Sequence, residues 1–466
     1  MCSLAATPAA AIEPRSLSEP DVLRDPAEVT RVVDAWQDGG GMDLHFTLGY
    51  QHTWKRATIL RETQDLDLDP RATEGGVRVP VARFSERTSR LNVRAELGLY
   101  HDLMLHAELP IIVEESASYG YDQSAGAGCV FPPQANPNCV NATNSSSVAD
   151  GIVPATGYDA RNNGVALSNG VFRGVVRGAR GGSGLDAFDT FNLGLTWAPM
   201  SQARDVTKPT WIVMVEGQFS IGNIKAFDRA APDANHAVSE GVHRLHIRTA
   251  LSKRYKYFEP YWSLWYLLPI ARGDSLYKNY GRSQKTKNPQ MEGGSTFGTE
   301  IIPFDRPEKQ YRLALDVGAR VLGHFNGRGY SEAWELFAGS SALQCDTAMG
   351  PFNPACDPAS PANPYQGKPF TGVTTIENYA SVGTHLAVAA QLGPFFRVRT
   401  AFEYLHDQSH YITGEDIGTP TTGSGRVTQA SEFNPAYRPV IDQPGRRYRV
   451  DNVHTYNFYL WAQFMF

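Results

Sequence analysis

The chain has 466 residues, 11% of them aromatic, with 43 glycines, 30 prolines and a formal net charge of -5. Its longest apolar run, residues 264–271, is broken by Pro269 and falls far short of the roughly 18 residues a spanning helix needs, so a helical membrane protein is excluded. Lys and Arg are scattered through an acidic chain, which leaves no footprint for nucleic acid.

The first residues read as the tail of a secretory signal, with small side chains at Ala9, Ala10 and Ala11. Cys2 reads as an incidental thiol. Residues 25–36 carry helical spacing, with Val29, Val32, Val33 and Trp36 on one side and Asp25 as N-cap before Pro26. Residues 1–41 are therefore expected to be a signal remnant and periplasmic segment with one short helix, followed by a single domain over 42–466.

From Met42 the period changes to two. Leu44, Phe46, Leu48, Tyr50 and Trp54 alternate with polar neighbours, as do Leu91, Val93, Ala95, Leu97 and Leu99. A two-residue link, His101 and Asp102, leads into Leu103, Leu105, Ala107, Leu109 and Ile111, which predicts an antiparallel hairpin. Residues 116–182 are long, polar and aperiodic, which counts against a compact soluble domain. Further strands are expected over 187–199, 210–220, 243–253, 258–271, 297–303, 311–325, 380–390 and 395–411, joined alternately by short turns and long loops. The strand over 297–303 is short, and the count of about twelve leaves ten or fourteen open.

Cys129 and Cys139, and Cys345 and Cys356, each bracket a short piece of a long loop. Disulfide staples in an oxidising compartment are expected; metal binding is the alternative, though neither pair has a CxxC or a His at zinc spacing. No cofactor motif is found. Helical spacing returns at residues 330–338, where Ala333, Leu336 and Phe337 form an apolar face, expected either to pack on a rim or to offer a platform to an apolar ligand.

The face opposite the apolar set carries charges of both signs: Arg90, Arg94, Glu96, His106, Glu108, Glu114, Glu216, Gln218, Arg244, His246, Arg248, Arg312, Asp316, Arg320, His385, Arg397, Arg399 and Glu403. Either these line a conducting path, with Arg244, Arg248, Arg397 and Arg399 favouring anions, or they fill the interior with ion pairs. His243, His246, His406, Ser409 and His410 invite comparison with a hydrolase, but no nucleophile elbow or His-x-Ser pattern accompanies them, and no enzyme is expected.

In the last eleven residues, Tyr456, Phe458, Leu460, Ala462, Phe464 and Phe466 share one face of an extended strand. An aromatic edge of this kind can be covered by lipid. It resembles the final strand of Gram-negative outer-membrane β-barrels, in which a terminal aromatic such as Phe466 is associated with recognition by the barrel-assembly machinery. The resemblance to the porin and transporter group implies an all-β, antiparallel up-and-down transmembrane barrel in the outer membrane of a Gram-negative bacterium. Its short turns would be periplasmic, its long loops outside and its wall in contact with outer-membrane lipid. The implied function is passive passage of an unidentified small solute or small apolar molecule. A non-conducting barrel with a salt-bridged lumen and an outer-membrane hydrolase are the alternatives.

Overall fold

The structure is a computed structural model describing residues 28–35, 43–63, 77–121, 145–154, 157–167, 170–306, 309–340, 342–343, 370–421, 423 and 425–466. Twelve strands form its barrel: β1 Leu44–Thr63, β2 Val77–Tyr100, β3 Leu103–Tyr121, β4 Thr190–Met200, β5 Thr210–Ser220, β6 Val242–Ser252, β7 Phe258–Ala271, β8 Glu292–Arg306, β9 Tyr311–His324, β10 Tyr379–Leu392, β11 Phe396–Asp407 and β12 Tyr448–Met465. Every barrel strand pairs antiparallel with its chain neighbours, and β1 closes on β12 in a ladder running from His45↔Met465 to Arg61↔Tyr448. At the seam Leu44 N donates to Phe466 O (3.1 Å) and Phe466 N to Leu44 O (2.9 Å). The final residue thus takes part in removing the sheet edge, which a bilayer requires.

Outward positions are apolar through the middle of the wall. On β7, Trp262 is 45% exposed, Leu264 47% and Leu268 38%, while the alternating Tyr261 and Ser263 are buried. A belt of this kind encircling the molecule is stable only against hydrocarbon.

Beyond the belt, on the side of the long loops, the pattern inverts. Val79, Ala82 and Phe84 of β2 face inward and are buried, whereas Arg83 and Arg87 face outward and are exposed. The reason is what fills this end of the barrel. Helices α1 Ser146–Ala149, α2 Trp334–Gly339 and α3 Pro439–Asp442 join Phe370, Ile376 and Ile412 in one buried cluster against Ile59, Phe84, Tyr119 and Val450. Here polar surroundings, lipid headgroups and then water, lie outside the wall and an apolar cluster inside, so the long strands are patterned as in a soluble sheet.

Four expectations are corrected. The apolar face expected over residues 330–338 offers no exposed platform: every residue from Trp334 to Ala338 is buried inside the mouth, where Phe337 meets Tyr448 edge-on at 5.1 Å. Among residues 28–35 only Glu28–Thr30 is helical, as one 3-10 turn, because Val29 and Val32 pack on Ala198, Ile212 and Ala250 of the wall instead of on a helical partner. The strand expected over 297–303 runs the full length of β8. Glu114 faces outward, because Ser89↔Glu114 is followed by Arg90↔Ile112, leaving Val113 as a bulge that changes the parity of β3. Trp36 and all five cysteines, with the disulfide expectation, lie outside the described residues.

Candidate functional site in the lumen

Residues 28–35 cross the lumen close to the short turns, and side chains from around the wall hold them there. Arg397 of β11 meets Glu28 at 2.7 Å, and Glu28 N donates to Glu300 of β8 at 2.8 Å. Thr30 and Ser252 of β6 share a 2.7 Å hydroxyl bond, Arg248 donates to the Val29 carbonyl at 3.0 Å, and Arg31 donates to Glu96 of β2 at 2.7 Å. Asp34 accepts from Asp102 N in the β2–β3 turn at 3.3 Å. Such long-range, mostly charged bonds account for a segment lying irregular between three residues of 3-10 helix and the wall.

Glu28, Val29 and Arg31 form one side of a cavity of about 480 Å³ lined by inward residues of β1 to β6, β11 and β12. Six arginines (Arg31, Arg90, Arg94, Arg248, Arg397, Arg399) line it against three carboxylates (Glu28, Glu96, Glu108). Most are paired. Arg94 reaches Glu96 at 2.8 Å and Glu108 at 3.2 Å, and Arg399 reaches Asp316 at 2.6 Å. Among the described residues, Arg90 and Arg248 have no carboxylate within ion-pair distance, and the Arg90 Nε is buried without a hydrogen-bond partner. Tyr459 and Trp461, stacked at 4.9 Å, complete one side. The cavity therefore presents a lining with more positive than negative side chains to any solute inside it.

The other inward charges belong to the wall. His106 bonds Glu216 at 2.8 Å, with His246 at 3.5 Å. Tyr261 donates to Asp316 at 2.7 Å and lies 2.8 Å from His385. Arg320 meets Glu403 at 2.8 Å, and Arg312 meets Glu300 at 3.4 Å. Arg244 stands apart from the cavity, tied to Glu240 at 3.1 Å and Asp189 at 3.8 Å, so it does not join Arg248, Arg397 and Arg399 in one group. The sequence reading missed Glu28, Arg31, Glu300 and Trp461. Glu300 had a signal, since it alternates with Phe297 and Ile301; Glu28 and Arg31 had none, the guanidinium and carboxylate that tie them to the wall, Arg397 and Glu96, being 369 and 65 positions away.

The histidine and serine neighbours that invited a hydrolase reading engage separate partners. Ser409 donates to Asp451, while His410 bonds the Gln408 carbonyl at 2.8 Å and stacks on Tyr379 at 3.7 Å. His243 accepts from Ser220 N at 3.0 Å.

A closed, even-stranded barrel with an apolar outer belt and a charged lumen is an outer-membrane β-barrel, and the outer membrane of a Gram-negative bacterium is its place. No protein-family model matches the chain, and no curated protein matches it. Among solved structures it is similar to an outer membrane channel from Pseudomonas putida F1, at 9% identity and a TM-score of 0.37 over 95% of this chain and 98% of that one. It is also similar to a mutant of the TodX monoaromatic hydrocarbon channel (10% identity, TM-score 0.30, 94% and 92% covered). The outer membrane protease OmpT from Escherichia coli is similar at 7% identity and a TM-score of 0.27, with 91% and 96% covered. At these identities the likeness is one of fold.

Proposed function

We propose that the protein is a gated outer-membrane channel for small anionic solutes, held shut by residues 28–35. The observation that carries this reading is the cavity of about 480 Å³ whose walls bear six arginines against three carboxylates, with the N-terminal segment lying across one side. An anion entering it meets Arg90 and Arg248, whose charges are not cancelled by a neighbouring acid, and selectivity follows the charges lining a constriction, not the chain's total of -5. Passage requires the segment to move, since its backbone and side chains bridge the wall from β2 to β11.

The test is single-channel recording in a planar bilayer with the full chain and with a variant lacking residues 28–35. The reading expects little current from the first and a larger, anion-selective current from the second. Silence from both would overturn it. That outcome favours a non-conducting barrel, for which the packing of α1, α2 and α3 into the mouth is the specific observation.

A further inference from the structure

The outer surface of β1 and β2 carries a feature that the lumen does not explain. Along β1 the outward face runs Leu44, Phe46, Leu48, Tyr50, His52 and Trp54, apolar or aromatic but for His52, which bonds Ser89 at 2.8 Å and lies edge-on to Trp54 at 4.1 Å; Trp54 is 38% exposed. Ten residues rising about 3.3 Å each, in a strand tilted by roughly 40°, span about 25 Å, the height of a barrel's apolar band. The next outward residue is Arg56, which is exposed and therefore stands at the level of lipid headgroups.

Arg56 is not alone. The register pairs Trp54↔Arg87, Arg56↔Ser85 and Thr58↔Arg83, so Arg56 is diagonal to two further exposed arginines on the neighbouring strand. Diagonal neighbours of this kind have Cα atoms about 7–8 Å apart, within reach of long side chains, and like charges so placed repel. Nearby carboxylates are engaged elsewhere: Glu114 holds Arg180 at 2.6 Å, Glu62 holds Arg447 at 2.9 Å, and Asp451 accepts from Ser409. Among the described residues no ion pair satisfies Arg56, Arg83 or Arg87.

We propose that Arg56, Arg83 and Arg87 form a docking site for the phosphate groups of a phosphorylated saccharolipid in the outer leaflet, with Trp54 lying against its acyl region. Guanidinium forks match phosphate oxygens two at a time, and three of them on a triangle above an apolar wall suit a headgroup carrying more than one phosphate. The repulsion among the three arginines is relieved when the anion is present.

The full-length protein in nanodiscs of zwitterionic phospholipid would be titrated with lipid A, with lipid A stripped of its phosphates, and monitored by native mass spectrometry. Wild type is expected to bind intact lipid A about tenfold more tightly than the stripped form, and the triple variant Arg56→Gln, Arg83→Gln, Arg87→Gln is expected to lose that preference. Equal binding of the two lipids by wild type overturns the proposal without reference to any variant. Equal retention of intact lipid A by both proteins also overturns it, once heat-shifted gel mobility shows that the variant is folded.

Discussion

Gly98 and Ala35 touch backbone to backbone: a Cβ added at Gly98 would stand 2.6 Å from the Ala35 N and 2.9 Å from its Cα. Gly98 lies on the inner face of β2, two residues beyond Glu96, which accepts the 2.7 Å bond from Arg31. The wall thus leaves room for residues 28–35 by omitting a side chain and fixes them with a charge close by. Steric room and electrostatic hold are separable, which makes the closed arrangement testable from two directions.

Gly98→Leu should displace the segment without altering a charge, and Glu96→Gln should loosen it without altering a volume. Removing one partner of a buried pair costs about 3 kcal/mol at the low end, and Arg31 retains Glu28 at 3.5 Å, so the low end applies here. Hydrogen exchange is expected to speed up over residues 28–35 in both variants while the strand amides stay protected. Unchanged exchange in both would mean that neither contact holds the segment.

The loop cap should respond to pH. Burial pushes the Asp442 carboxyl of α3 up to about 7 despite the backbone bonds it accepts from Gly414, Glu415 and Arg438. Burial also raises the neighbouring Glu415. A carboxyl raised in the folded state makes its full contribution below its unfolded value near 4 and loses it as pH climbs through 7. Exchange around residues 412–416 and 438–442, corrected for intrinsic rates, should therefore quicken between pH 5 and pH 8, and Asp442→Asn should flatten the dependence. A cap that tightens over that range would reverse the sign and refute the assignment.

Much of the barrel was legible in the sequence where one physical rule governs a whole strand. β5 and β7 lie wholly in the belt, apolar outward from end to end, and the expected bounds 210–220 and 258–271 coincide with the observed strands. β2 was read only from residue 90 although it begins at Val77, because above the belt Arg83 and Phe84 exchange the faces that an apolar-outward pattern assigns. Glu114 was misplaced by the single bulge at Val113, which no alternation count detects. The N-terminal segment was illegible for a different reason: Val29 and Val32 at helical spacing suit a helix face equally well as a wall contact, and only the distant Ile212 and Ala250 decide between them.

The belt makes a depth-dependent demand on single residues. Leu264 sits midway along β7 and is 47% exposed, so Leu264→Arg should destabilise the barrel by about 2–4 kcal/mol in urea titrations in lipid, whereas Leu264→Phe should be close to neutral. Comparable effects from both substitutions would place Leu264 away from hydrocarbon.

Topology follows from which connections are short. Lys256, in the turn between β6 and β7 with a left-handed φ of 54°, should lie in the periplasm, and Asp228, between β5 and β6, should face the medium. With single cysteines introduced at these positions into a chain whose own cysteines are replaced, a membrane-impermeant maleimide on intact cells should label Asp228→Cys and spare Lys256→Cys. The reverse pattern would invert the barrel.

The last expectation concerns which arginines set the field in the lumen, and it rests on the proposed channel function. Arg90 and Arg248 line the cavity without a carboxylate partner, whereas Arg244 lies outside it and is held by Glu240 and Asp189. A paired charge contributes little beyond its partner, while an unpaired one in a narrow path acts on every passing ion. In the variant lacking residues 28–35, replacing Arg90 and Arg248 by Gln should shift the reversal potential in a salt gradient toward cation preference. Arg244→Gln in the same background should leave it unchanged. The difference should shrink at high ionic strength, where screening shortens the reach of each charge to a few ångströms. If Arg244→Gln produced the larger shift, the conducting path would run along β6 toward the mouth instead of through the cavity beside Tyr459 and Trp461.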